Sequence, residues 1–289
     1  MPTRSGSYPI ARRAGEIERL RVQAAAMEFD AGVLLDRIGV GPGWRCLDLG
    51  CGPGGILPLL SARTGAPDRV VGLDADPVLL EAARTWLEAQ GLAGVVLVER
   101  DAYRTGLAAD AFDLVHVRYL AGTAGQPGDL VQEAIRLARP GGVVAFEEPD
   151  TDTLGCSPPH PAWDRLKAAL QDGFAAVGAD TRLGKRLYRL FREAGLQDVR
   201  YRPFLVGITS GEPMAGYLPA TIESIRPTLI GRGIIGEAEL DAALAACRRH
   251  LGDPATVSTS FLTAQVWGRK PPAAPEPQRE AAAPRRGDA

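Results

Sequence analysis

Three aspartates, Asp48, Asp74 and Asp101, lie at the ends of short, mostly apolar runs, "CLDL", "VVGLD" and "VLVERD", the first of them two residues before Gly50. The first is followed at once by a glycine cluster, "GCGPGG", over residues 50–55. A glycine-rich loop between a strand and a helix brings backbone N–H groups close to a ligand, because no Cβ blocks the approach. Gly50, Gly52 and Gly55 satisfy G-x-G-x-x-G, the dinucleotide fingerprint, while Gly50, Gly52 and Gly54 satisfy G-x-G-x-G. The glycines alone do not choose between these ligands. The acids do. Asp48 would repel a pyrophosphate but suits the neighbourhood of a cationic amino-acid group. Asp74 is placed to accept hydrogen bonds from two ribose hydroxyls, and Asp101 can accept from an adenine exocyclic amine. A nucleoside with a positive charge and no phosphate meets all three favourably.

The elements that must hold these residues follow from hydrophobic periodicity. Helical spacing runs through "GEIERLRVQAAAMEF" and "DAGVLLDRIGV", with Asp30 the expected N-cap of the second. Strands are predicted at "RCLDL", "RVVGLD", "GVVLVERD", "FDLVHVR" and "VVAFEEPD", alternating with helices at "GILPLLSARTG", "DPVLLEAARTWLEAQG" and "DLVQEAIRLARPGG". This alternation implies a parallel sheet covered on both faces. From Thr151 the rhythm changes to amphipathic helices, a strand-like "DVRYRPFLVGIT", two more helical stretches and a last strand, "VSTSFLTAQVWGR". One domain over residues 1–268 is expected, with lid insertions at about 151–180 and 208–258, followed by a disordered Pro/Ala-rich tail at 269–289.

Composition excludes several classes. The 289 residues are 45% hydrophobic and 24% charged, as in an ordinary globular protein. A formal net charge of −2 argues against a nucleic-acid partner. Cys46, Cys51, Cys156 and Cys247 form no C-x-x-C pair and the histidines lie far apart, so no metal site is expected and a reducing cytoplasm is. The first twenty residues lack the apolar core of a signal peptide, and no apolar run approaches the roughly 20 residues of a membrane span.

The ordered stretches "CLDLGCGPGG", "VVGLDADPVLLEAA", "ERDA", "FDLVHVRYL" and "LARPGGVVAFEEPD" resemble the class I S-adenosylmethionine-dependent methyltransferases. They cover about residues 46–150, and the run near 259–268 resembles that family's antiparallel last strand. The resemblance implies an α/β fold: a Rossmann-like, mostly parallel seven-stranded sheet with helices on both faces. It also implies S-adenosyl-L-methionine as cofactor, along the carboxyl ends of the first four strands. On the same resemblance Asp48, Gly50 and Gly52 line the methionine portion. Asp74 takes the ribose, Ala75 lies beside the adenine, and Asp101 takes the adenine amine. The Ala102 N–H reaches the ring and the Val117 carbonyl faces the methionine amino group. "VHVRYL" with "EEPD", and "EIERLRVQ" preceded by Tyr8, look most like small-molecule methyltransferases of secondary metabolism, in which Tyr8 and Gln23 close over the cofactor.

Methyl transfer from a sulfonium needs a nucleophile held in line, water excluded and, for a poor nucleophile, a base. His116 is the obvious titratable group at the end of the fourth strand. Alternation puts Val115 and Val117 on one face and His116 on the other, which also allows a buried positioning histidine. Arg118 and Tyr119 leave the strand as candidate substrate contacts, with a salt bridge an equal reading of Arg118. Of Glu147 and Glu148, which alternation sends to opposite sides, Glu148 is the preferred base. His160 belongs to a proline-rich loop and His250 to a helix end. Trp163, Phe174, Tyr217 and Leu218 suit either a pocket for an apolar small molecule or a packing or homodimer contact. Two rival readings stand beside methyl transfer. One is a protein that binds S-adenosylmethionine without methylating, as a regulator or a cyclase. The other is a nicotinamide-dependent oxidoreductase, for which the chain lacks the usual Tyr-x-x-x-Lys.

Overall fold

The computed structural model describes residues 15–272; Tyr8 and nearly all of the 269–289 tail lie outside the described residues. In chain order the first half comprises α1 (Glu16–Ala26), α2 (Glu28–Ile38), β1 (Cys46–Leu49), α3 (Leu57–Thr64), β2 (Val70–Asp74), α4 (Pro77–Ala89), β3 (Val96–Glu99) and β4 (Phe112–Arg118). There follow α5 (Ala121–Ala124), α6 (Pro127–Leu137), β5 (Ala138–Asp150), β6 (Gly155–Ser157), α7 (Pro161–Ala175), α8 (Gly184–Glu193) and β7 (Gln197–Phe204). The chain closes with β8 (Gly207–Thr209), α9 (Tyr217–Gly231), α10 (Glu237–Leu251), β9 (Val257–Thr259) and β10 (Leu262–Arg269).

Seven strands form one sheet in the order β3-β2-β1-β4-β5-β10-β7. All neighbours are parallel except β10, which runs antiparallel to both β5 and β7. The expected Rossmann-like sheet with an antiparallel last strand is therefore present. One face packs Leu34 and Leu35 of α2, Leu57 and Leu60 of α3, and Leu80 and Leu87 of α4 against Cys46, Leu114 and Ala145. The other packs Leu130 and Val131 of α6 and Leu187 and Phe191 of α8 against Val115, Val117 and Phe146. The strands are buried on both sides, which explains their near-continuous apolar runs.

Helix boundaries follow local chemistry. Asp76 caps α4 through its carboxylate, which accepts the Val78 N–H at 2.9 Å, with Pro77 in the first turn. Asp30 is not the cap expected of it: α2 begins at Glu28, and Asp30 instead pairs with Arg202 of β7. The helix before β5 ends at Leu137, because Pro140 cannot continue it.

Two predicted strands are each divided. The run 198–209 breaks between β7 and β8, and 257–269 breaks between β9 and β10. At the corner, the Ser260 N–H donates to the Val206 carbonyl at 2.9 Å, and the Ser260 hydroxyl accepts the Val206 N–H at 2.9 Å. Both chains then leave the main sheet and join β6 in a second, antiparallel sheet, β6-β9-β8. This small sheet and α7, α9 and α10 enclose a core of their own, built on Leu166, Leu170, Ile222, Ile225, Leu229 and Leu244. It forms a cap over the carboxyl edge of the large sheet.

Candidate active site

The carboxyl ends of β1, β2 and β4 and the cap border one cavity of about 2150 Å³. Single-ligand pockets commonly hold about 300–1,000 Å³, so this one has room for two molecules side by side. Its floor is the glycine loop. Gly50 and Gly52 line it in the left-handed region, at φ 76° and 55°. Gly54, at φ 117°, lies beneath the ring of Trp86, where an added Cβ would fall 2.5 Å from Cε3. A side chain at Gly52 would meet nothing within 4 Å, so the backbone there is open to the cavity.

Asp48, Asp74, Ala75, Asp101 and Ala102 all line the cavity, as does Gln23 from α1. The Asp74 carboxylate accepts the Gly52 N–H on Oδ2 and the Asp76 N–H on Oδ1, both at 2.9 Å. Burial raises its pKa, and these N–H groups oppose the rise. The bonds tie the glycine loop to the end of β2 and leave carboxylate lone pairs toward the cavity. Asp101 accepts the Tyr103 N–H at 2.8 Å and is exposed. Gln23 is buried and accepts from Arg19 at 3.2 Å. The Val117 side chain packs in the sheet core, away from the cavity.

The structure sets His116 and Glu148, the candidate bases, inside the protein, where His116 takes the buried positioning place that alternation allowed. Both are fully buried, and neither is part of the cavity wall. Parallel register sets His116 opposite Asp48, and its Nδ1 lies 2.7 Å from Asp48 Oδ1. Its Nε2 lies 3.0 Å from Glu147 Oε1. Burial alone would lower the imidazole pKa, but bonds to Asp48 and Glu147 and their charges raise it to about 9. His116 is thus an imidazolium with both N–H groups donated, not a free base. Burial raises Glu147 as well, yet the His116 bond and the Arg118 charge outweigh it and hold that carboxyl below its ordinary range.

The polar chain continues across the sheet. Gln265 of β10 donates to Glu147 Oε2 at 2.8 Å and to the Asp30 carbonyl at 3.0 Å, and Arg202 of β7 donates to Gln265 Oε1 at 2.8 Å. Arg202 then pairs with Asp30. Five neighbouring strands therefore carry one hydrogen-bonded line, Asp48–His116–Glu147–Gln265–Arg202, beneath α2. No sequence signal announced it beyond His116 and the acids themselves, because the register that joins them is long-range.

Glu148, on the opposite side of β5, accepts the Ala121 N–H at 2.8 Å and the Gly122 N–H at 3.1 Å. Burial raises its carboxyl to about 8 against those N–H groups. It anchors the turn after β4. That turn begins at Tyr119, whose φ of 57° is unusual outside glycine. The Tyr119 hydroxyl bonds Thr263 Oγ1 at 2.8 Å, so the ring is fixed at the cavity edge.

Arg118 lines the cavity with its guanidinium near the Tyr119 ring, 5.9 Å from the centroid. The cap side of the cavity is apolar, with Leu170, Phe174, Tyr217 and Phe261 exposed to it. Trp163 and Leu218 turn instead into the cap core. His160 caps α7, its Nδ1 accepting the Ala162 N–H at 3.1 Å, and stacks on His250 away from the cavity. Among the described residues no group of three or more His, Cys, Asp or Glu could hold a metal ion, and the four cysteines are unpaired. No described helix is long and apolar enough to cross a membrane.

A protein-family model described as "Methyltransferase domain" matches residues 41–195, more than half of the chain. A 37.1 kDa protein of transposon TN4556 from Streptomyces fradiae is 28% identical over 219 residues, covering 71% of this chain. The match spans only 62% of that relative's length. A demethylmenaquinone methyltransferase of Geobacillus kaustophilus is 25% identical over 61% of this chain and 81% of its own. Among solved structures, phosphoethanolamine N-methyltransferase 2 of Haemonchus contortus, in complex with phosphomonomethylethanolamine and S-adenosylhomocysteine, shares the fold at a TM-score of 0.53 and 16% identity. That match covers 86% of this chain and 57% of the other.

Proposed function

The chain belongs to the class I S-adenosylmethionine-dependent methyltransferases, and we propose that it methylates an O, N or C nucleophile of a cytoplasmic small molecule of secondary metabolism. One observation carries this reading. A single cavity joins the acid-lined glycine loop to an apolar cap wall and has volume for a nucleoside cofactor and a second ligand. The residues lining the cavity suit S-adenosylmethionine: Asp74 would take the ribose, Asp101 the adenine amine and Asp48 the cationic end, and Gly52 leaves the backbone open to close approach. When bound, that cofactor supplies an electrophilic methyl group on a sulfonium.

The chain's own residues then have positioning to do. Phe174, Tyr217, Leu170 and Phe261 offer a dry wall for an apolar substrate body. Tyr119, tied to Thr263, and the turn held by Glu148 border the space over the glycine loop in which the substrate would sit. With His116 and Glu148 turned away from the cavity, the proposed chemistry rests on orientation and water exclusion, which suits an amine, a phenolate or an activated carbon. A ring substrate agrees with the relative named for demethylmenaquinone.

Titration calorimetry with S-adenosylmethionine, S-adenosylhomocysteine and nicotinamide dinucleotides tests the cofactor. A panel of apolar phenols, amines and quinols, followed by S-adenosylhomocysteine release, tests the transfer. Binding of a dinucleotide in place of S-adenosylhomocysteine would overturn the reading.

A further inference from the structure

Arg118 leaves the end of β4 and turns back toward the glycine loop. A Cβ built on Gly55 would lie 3.4 Å from Arg118 Nη2 and 3.8 Å from Asp48 Oδ2. A cation and an anion thus flank one spot over the loop. Among the described residues, the Arg118 guanidinium has no hydrogen bond or ion pair, and its contact is the face of Tyr119. Asp48 is only half engaged: His116 holds Oδ1, while Oδ2 is the oxygen turned toward Gly55.

We propose that Arg118 and Asp48 together clamp the zwitterionic amino-acid end of S-adenosylmethionine, Arg118 taking the α-carboxylate and Asp48 Oδ2 the α-ammonium. The proposal rests on the methyltransferase reading and moves Arg118 from the substrate to the cofactor. Charge decides between the two. Asp48, His116, Glu147 and Arg118 carry two negative and two positive charges, so the group is neutral as built. A zwitterion leaves it neutral and satisfies both free groups. A bare anionic substrate on Arg118 would lie against Asp48 Oδ2 and be repelled by it. The planar guanidinium matches a carboxylate through two parallel N–H donors, which a lysine could not reproduce. His116 is the positioning residue of the clamp, since its bond to Oδ1 fixes how Oδ2 points.

The test compares two ligands on the full chain by calorimetry. S-Adenosylhomocysteine carries the amino-acid end, and 5′-methylthioadenosine has the same nucleoside without it. Arg118→Met is expected to weaken S-adenosylhomocysteine roughly 10- to 100-fold and to leave methylthioadenosine unchanged. Arg118→Lys should recover part of that loss. Unchanged S-adenosylhomocysteine affinity in Arg118→Met, with an altered KM for the methyl acceptor, overturns the clamp and returns Arg118 to the substrate. Equal weakening of both ligands overturns it too, because Arg118 would then support the pocket as a whole. A wild-type chain that binds neither nucleoside would overturn the methyltransferase reading along with the clamp.

Discussion

The Nδ1 of His116 lies 2.7 Å from Oδ1 of Asp48, side by side across parallel strands β4 and β1. One oxygen of the carboxylate at the cavity floor is thereby spoken for by a fully buried cation.

Removing that cation should be costly. His116→Leu leaves Asp48 Oδ1 and Glu147 Oε1 without their donor and the two buried carboxylates without the cation between them, and a loss of about 3–5 kcal/mol is expected. His116→Gln, which keeps a donor, should lose less. Denaturant titration of both variants measures this; equal stability of wild type and His116→Leu would contradict the buried ion triad.

The same group gives a pH signature. The folded protein holds the His116 proton more tightly than the unfolded chain, about 9 against 6.5. Its stabilising contribution is therefore complete below about 6.5 and fades as pH rises through about 9. Thermal melts at a series of pH values should show this alkaline decline in the wild type and a shallower one in His116→Gln.

Glu148 gives a second, separable slope. Its folded pKa near 8 exceeds the ordinary 4.5, so the stability tied to its proton is present below 4.5 and lost as pH rises through 8. Glu148→Gln should flatten that slope and cost about 1–2 kcal/mol through one mismatched backbone N–H. Turnover should keep its pH profile. A lost kinetic limb in this variant would show Glu148 acting as a base after all.

Two glycines in one loop should fail differently. Gly54→Ala drives a methyl into the Trp86 ring and should lower stability by about 1–3 kcal/mol. Gly52→Ala meets no protein atom, so it should fold with a strain cost of about 1–2 kcal/mol from its positive φ. Its methyl would nevertheless enter the cavity and weaken S-adenosylhomocysteine. Melting curves with and without that ligand separate the cases.

The cap offers a further contrast. Phe174→Ala and Tyr217→Ala should raise the KM for the methyl acceptor while leaving S-adenosylhomocysteine affinity unchanged. Trp163→Ala, in the cap core, should cost about 3–5 kcal/mol of stability. Steady-state kinetics beside calorimetry distinguishes wall from core.

Much of the sheet was legible because its signals are local. Each parallel strand is a short apolar run stopped by an acid or a glycine, and Asp48, Asp74 and Asp101 could be set at the cavity from position alone. The placements that went astray depend on distant partners. Asp30 has the chemistry of an N-cap, but Arg202, 172 residues away in sequence, claims it. His116 and Glu148 have the chemistry of bases, and alternation correctly separates Glu147 from Glu148. What alternation cannot give is the depth of each face, which α2 and the turn after β4 set by covering them. The breaks at Val206 and Ser260 were likewise invisible, since both runs keep strand composition through the corner.

The two cores have a consequence for how such a chain changes over time. Leu166, Leu170, Ile222 and Leu229 pack among themselves, while Leu47, Val115 and Phe146 belong to the sheet. The glycine loop and its acids belong to neither helix of the cap, so substitutions in α7 and α9 touch them only across the shared cavity and through Tyr119. A lineage can therefore vary one wall of the cavity through α7 and α9 while the glycine loop at its floor keeps its own sequence.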